Sequence, residues 1–79
     1  MVAYYLPDSQ RVITVVDEPV TTEYPYVEIE EVPKPQHRDN YLAIPFIVNN
    51  EITYKYLSKN EEHKDNLKIK IAAKKIRSK

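Results

Sequence analysis

Tyr41-Leu42-Ala43-Ile44-Pro45-Phe46-Ile47-Val48 and Glu51-Ile52-Thr53-Tyr54-Lys55-Tyr56-Leu57 flank Asn49-Asn50, and together they make the densest apolar stretch of the 79-residue chain. In the second arm Ile52, Tyr54 and Tyr56 fall on one face, and Thr53, Lys55 and Leu57 on the other. That period of two marks a half-buried strand. Asparagine tolerates the left-handed backbone of a tight turn, so the stretch reads as a β-hairpin. The apolar pattern favours a register in which Phe46 faces Ile52, Ile44 faces Tyr54 and Leu42 faces Tyr56. A one-residue slip would set Ile44 against Lys55 and Phe46 against Thr53, at the expense of that face. Tyr54 and Tyr56 are then hairpin core. Pro45 cannot donate to a ladder, so the first arm has a free side or lies at an edge.

Upstream, Val2 to Leu6 and Arg11 to Val16 are β-prone runs. Pro7-Asp8-Ser9-Gln10 between them is a turn whose proline pre-sets the first central φ. This is a first hairpin, stopped by Asp17-Glu18-Pro19. Tyr24 to Val32 alternates apolar and acidic residues, with Val27 and Ile29 inward and Glu28 and Glu30 outward. Pro25 limits this strand to an edge, and the acids protect that edge against unwanted pairing. Val32-Pro33-Lys34-Pro35-Gln36 should be extended and stiff, leading through His37-Arg38-Asp39-Asn40 to the main hairpin.

Downstream, Ser58-Lys59-Asn60-Glu61 has the form of a capping box. Acidic residues come early (Glu61, Glu62, Asp65) and the run Lys68 to Lys79 is basic, an order that suits the helix dipole. These signals predict a helix from about Lys59 to Arg77. On it Ile69, Ala72, Ala73 and Ile76 share one side, and Leu67 and Ile71 lie nearly opposite. The competing reading is a strand over residues 66–71, with Leu67, Ile69 and Ile71 on one face. A helix with two apolar sides would meet its own sheet on one and a second chain on the other. The expected fold is α+β: a small antiparallel sheet of two hairpins plus an acidic edge strand, with a C-terminal helix. Residues 1–58 form the β-rich domain, and residues 59–79 a basic helix packed on the sheet or on a partner subunit.

Composition narrows the options. A chain this short buries only about 60% of its extended surface, and small domains often add disulfides, a metal or a partner. There is no Cys, and His37 and His63 are the two histidines. Association is the remaining supplement, so a homo-oligomer is expected. The absence of Gly excludes glycine-rich phosphate loops of the P-loop and Rossmann types. No segment reaches the roughly 18 continuous apolar residues of a membrane span, and the first residues lack the basic start and long apolar run of a signal peptide. The net charge of zero is split: residues 1–58 carry four basic and nine acidic side chains, and residues 59–79 eight basic and three acidic. A solvated acidic sheet and basic tail is the plain interpretation, and an acidic surface of a neighbouring subunit meeting that tail is the sharper one.

No cluster announces a chemistry. His37-Arg38-Asp39 matches the kinase catalytic triplet by chance, since a kinase needs a far longer domain and a Gly-rich loop. The two histidines lack metal-ligand spacing. Glu18, Glu28, Glu30 and Glu31 point to solvent rather than into a shared cleft. Ser9, Ser58 and Ser78 sit in a turn, a cap and a terminus. Neither an enzyme nor a cofactor is expected. Seven Tyr stand against one Phe and no Trp. Tyrosine joins a large ring to a polar tip and often serves interfaces. The interface candidates are Tyr4, Tyr5, Tyr24, Tyr26, Leu67, Ile71, Lys74 and Lys75. Stacking of bases on the tyrosines is disfavoured by the acidic strands.

Three stretches carry a family resemblance: Tyr4-Tyr5-Leu6 with Val12-Ile13-Thr14-Val15-Val16-Asp17-Glu18-Pro19, Tyr26-Val27-Glu28-Ile29-Glu30-Glu31-Val32-Pro33-Lys34-Pro35, and Ile47-Val48-Asn49-Asn50-Glu51-Ile52-Thr53-Tyr54-Lys55-Tyr56. Their order resembles small tail-tip or baseplate-associated proteins of siphophages infecting Gram-positive bacteria. The resemblance implies a non-enzymatic virion component or tail-assembly factor that binds other tail proteins. It would be found in the virion tail, or in the host cytoplasm during assembly. The alternatives are a small nucleic-acid-binding regulator using Lys64, Lys68, Lys70, Lys74, Lys75, Arg77 and Lys79, or a host-directed inhibitor that occupies a partner's surface.

Overall fold

The structure, a computed structural model, describes residues 1–58 and 66–77. Along the chain come β1 (Val2–Tyr5), β2 (Val12–Val16), β3 (Tyr26–Glu28), β4 (Tyr41–Val48), β5 (Glu51–Ser58) and α1 (Asn66–Arg77). They build an α+β fold with two antiparallel sheets, one of order β2-β1-β3 and one formed by β4 and β5.

β1 is central because its residues, followed by Leu6, present apolar side chains on both faces. Val2, Tyr4 and Leu6 meet Ile13 together with Ala72 and Ile76 of α1. Ala3 faces the other way and packs with Val12 and Ile47. The three-stranded sheet is therefore a middle layer, between α1 and the tip of the second hairpin. A bulge in the β1–β2 pairing sets Tyr4 opposite Thr14 and Tyr5 opposite Val12, skipping Ile13. Without that extra residue Val12 would share the face of Thr14 and Val16. With it, Val12 joins the hairpin side and Ile13 the helix side.

The turn of the first hairpin forms where its proline signal lies. The Leu6 N–H donates to the Arg11 carbonyl at 2.9 Å, and the Gln10 N–H to the Leu6 carbonyl at 2.8 Å. The Asp8 carboxylate accepts the Ser9 N–H at 2.9 Å. That backbone donor, with Asp8's own and the nearby Lys68 ammonium, holds the Asp8 carboxyl below its usual range. Gln10 has φ of 66°, in the left-handed region. For a side chain without asparagine's short local bonds this costs about 1–2 kcal/mol. The strain sits at a joint, because the Gln10 carbonyl also accepts the Ile47 N–H at 2.8 Å. Gln10→Asn keeps both backbone bonds and should stabilise the protein by roughly 0.5–1 kcal/mol. A thermal melt would then show the midpoint raised by about 2–8 °C.

The second hairpin forms, but in the register that the apolar pattern disfavours. Val48 pairs with Glu51, Ile47 with Ile52, Phe46 with Thr53, Ile44 with Lys55 and Leu42 with Leu57. The turn dictates this. Asn49 and Asn50 have φ of 52° and 65°, the two-residue geometry whose twist matches paired strands. A two-residue turn leaves Val48 no partner but Glu51. The polar mismatch is absorbed where the Lys55 ammonium lies 4.5 Å from the centre of the Phe46 ring. Such a contact is worth about 0.5–1 kcal/mol in the open. Ile47 and Ile52, now opposite each other, carry the hairpin tip into the core.

β3 is shorter than its alternating sequence, with Val2, Ala3 and Tyr4 paired to Glu28, Val27 and Tyr26. One bond continues the pairing at each end, from the Tyr5 N–H to Pro25 at 3.1 Å and from the Ile29 N–H to Met1 at 2.9 Å. Val27 and Ile29 pack inward, and Glu28 and Glu30 are exposed. Residues 66–71 are helical, not a strand. Ile69, Ala72, Ala73 and Ile76 seat α1 on the chain's own sheet. Ser58 closes β5. Residues 59–65, which hold the rest of the capping box and the expected first turns of the helix, lie outside the described residues, as do Ser78 and Lys79.

Candidate functional site

The outer side of α1 follows from the spacing of its residues. With Ile69, Ala72 and Ile76 turned to the sheet, Leu67, Ile71 and Lys74 must point away from it. Leu67 is 68% exposed and Ile71 48%. Lys70 and Lys74 are also exposed and form no ion pair with a described residue. On the flank of the helix, Lys68 lies 3.5 Å from Asp8 and Lys75 lies 3.6 Å from Glu23. Both pairs are solvent-facing and screened by water, so neither adds much to stability. They anchor the helix to the first turn and to the β2–β3 loop.

An opposite charge gathers around β3, at the edge of the middle sheet. Glu28, Glu30, Glu31 and Glu51 line a groove of about 490 Å³ between the end of β3 and the hairpin tip, with Ile29, Pro33 and Ile52 as its apolar part. A neighbouring depression of about 410 Å³ shares Glu28, Ile29 and Glu30 and adds Asp17. Together they form an acidic band around β3. Among the described residues no group of His, Cys, Asp or Glu has an arrangement that could hold a metal ion.

Tyrosine hydroxyls do a second job. Two long segments have no regular structure, residues 17–25 and 29–40, and both are pinned by tyrosine. The Tyr4 hydroxyl accepts the Val20 N–H at 2.7 Å and donates to the Val20 carbonyl at 3.0 Å. The Tyr56 hydroxyl makes the same pair of bonds to Gln36, at 3.0 and 2.9 Å, and Tyr54 donates to the Pro33 carbonyl at 2.8 Å. Tyr54 and Tyr56 thus hold the proline segment rather than filling a hairpin core. The excess of Tyr over Phe was the available signal, but a one-dimensional pattern does not say which hydroxyl meets which loop.

The interface candidates separate. Tyr4 is 0% exposed at the centre of the helix-side core, so it offers nothing to a partner. Its place on the middle strand, covered on both faces, overrides its nearness to the chain start. Tyr5 and Tyr24 are half-buried, packed on the hairpin-side and helix-side cores. Tyr26 is exposed at the β3 edge, its ring 5.3 Å from that of Tyr4. Leu67, Ile71 and Lys74 come together on the outer side of α1, with Lys75 at its flank.

His37 and Asp39 do meet, with Nε2 and Oδ1 3.0 Å apart, but their side chains are 80% and 91% exposed. A pair so open to water lacks the desolvation that sharpens acid–base groups. No helix among the described residues is long and apolar enough to cross a membrane. Comparison with family models, curated proteins and solved structures finds no match to this chain.

Proposed function

We propose that this protein is a non-enzymatic assembly module that joins copies of itself head to tail. One observation carries the reading: α1 is buried along one side, yet holds Leu67 and Ile71 in water on the other. The acidic groove supplies the complementary surface. It has its own apolar part for Leu67 and Ile71, and carboxylates for Lys70 and Lys74. Leu67 and Ile71 point away from the sheet on which α1 is seated, so no chain can bring its own helix residues to its own groove. A contact between two different patches repeats, and it closes into a ring or extends as a filament. The opposite charges set encounter and register, and the apolar residues hold the joint. The siphophage tail-tip resemblance supplies the biological form of this reading: a structural or assembly protein of the phage tail, making protein–protein contacts near the tip.

Charge exchange tests the pairing. Lys70→Glu with Lys74→Glu should leave the protein monomeric, as should Glu30→Lys with Glu31→Lys. Mixing the two variants should restore association, since each brings the patch that the other now matches. Sedimentation velocity reads all three samples. Two variants that remain monomeric when mixed would reject the helix-to-groove joint.

A further inference from the structure

Residues 31–38 run past Tyr54 and Tyr56 of the β4–β5 hairpin without regular structure and end in a turn at Asp39-Asn40, and every residue from 31 to 40 is exposed. The segment buries no side chain of its own. It is held by the backbone: its Pro33 carbonyl takes the Tyr54 hydroxyl, and its Gln36 N–H and carbonyl both take the Tyr56 hydroxyl. The Arg38 guanidinium adds one contact, 4.2 Å from the centre of the Tyr56 ring. Pro33 and Gln36 are three residues apart, which is one turn of a polyproline helix, so their carbonyls lie on the same side of such a segment. Tyr54 and Tyr56 are two apart on a strand and share a face. The spacing of the tyrosine pair thus matches backbone groups three residues apart, the repeat of a polyproline-type segment.

We infer that Tyr54 and Tyr56 form a binding site for an extended, proline-containing segment of a partner protein, and that the chain's own residues 33–38 occupy it until displaced. The contacts define the ligand. Its first contacted residue needs only a carbonyl in an extended conformation, which proline favours. Three residues on, it needs a free N–H, so proline is excluded there. Two further on, it needs a cation to lie over the Tyr56 ring. Pro-x-Pro-x-x-Arg, with any residue but proline in the fourth place, meets all three. Proline-rich segments suit such a shelf because they lose little entropy on binding. The tether gives the resident segment an effective concentration in the millimolar range, roughly, so a rival must exceed that advantage to enter. The site is distinct from the outer side of α1 and does not depend on self-association.

The test loosens the resident segment and leaves the shelf untouched. Gln36→Pro with Arg38→Ala removes the N–H bonded to Tyr56 and the cation on its ring. A synthetic peptide of residues 31–40 is titrated into this variant and into the unaltered chain, and amide resonances of residues 52–58 are followed by NMR. Saturable shifts on β5 are expected in the variant, at a peptide concentration at least tenfold lower than in the unaltered chain. Adding Tyr54→Phe and Tyr56→Phe should weaken that binding at least tenfold while the Ala72 and Ile76 resonances stay in place. Should the loosened variant not fold, the unaltered chain decides alone: excess peptide must shift the Gln36 and Arg38 amides as the resident segment leaves. Absent shifts, binding indifferent to the two Phe replacements, equal binding of a proline-free peptide of the same charge, or dimerisation of the variant by exchange of the segment between copies would each overturn the inference.

Discussion

Tyr4→Ala is expected to remove most of the protein's stability. The side chain is 0% exposed, and it is the largest one buried so completely among the described residues. It fills the space between β1 and α1, in the cluster with Val2, Leu6, Ile13, Ala72 and Ile76. Truncating a buried aromatic ring to alanine costs about 3–5 kcal/mol. A chain of 79 residues has a total of roughly 4–12 kcal/mol. The variant should therefore melt more than about 12 °C lower, or be unfolded at room temperature by circular dichroism. Tyr4→Phe separates the two roles of the residue. It keeps the ring and loses only the hydroxyl that accepts and donates at Val20. Its cost should be about 1–3 kcal/mol, with the fold retained. Equal melting of Tyr4→Ala and the unaltered chain would refute the placement of β1 at the centre of the molecule.

The second large effect is expected on association. Leu67→Asp with Ile71→Asp changes no residue of the inner side of α1, so the fold should persist. Burying these two half-exposed side chains in a partner would contribute roughly 2–4 kcal/mol. Losing it weakens association by about 30- to 1,000-fold. The new carboxylates would also face Glu28, Glu30, Glu31 and Glu51 across the proposed joint, which adds repulsion. The double variant should run as a monomer where the unaltered chain does not, with an unchanged far-ultraviolet spectrum. An unaltered degree of association in this variant would place the joint elsewhere.

The helix was readable because its periodicity is strong: Ile69, Ala72, Ala73 and Ile76 can share a side only at a helical repeat, and they do share the core. The same spacing turns Leu67 and Ile71 outward. Both hairpins and the acidic edge were readable for a similar reason, since Val27 and Ile29 alternate with Glu28 and Glu30. The register of the second hairpin was not. Apolar matching and turn geometry disagree there by one residue, and two left-handed asparagines outweigh the pairing of Phe46 with Ile52. The burial of Tyr4 was also hidden, because a short run near the start of a chain carries no mark that it will lie in the middle of a sheet. The acidic groove and the tyrosine shelf depend on segments distant in sequence, residues 28–33 with 50–52 and residues 33–38 with 54–56. Neither leaves a periodic trace.

Light scattering of the unaltered chain, coupled to size exclusion and repeated over a range of concentrations at low and high salt, bears most directly on the two-sided helix. A mass above that of one chain, rising with concentration and falling as salt screens the lysines from the carboxylates, is the expected result. A single-chain mass at every concentration and salt would contradict it.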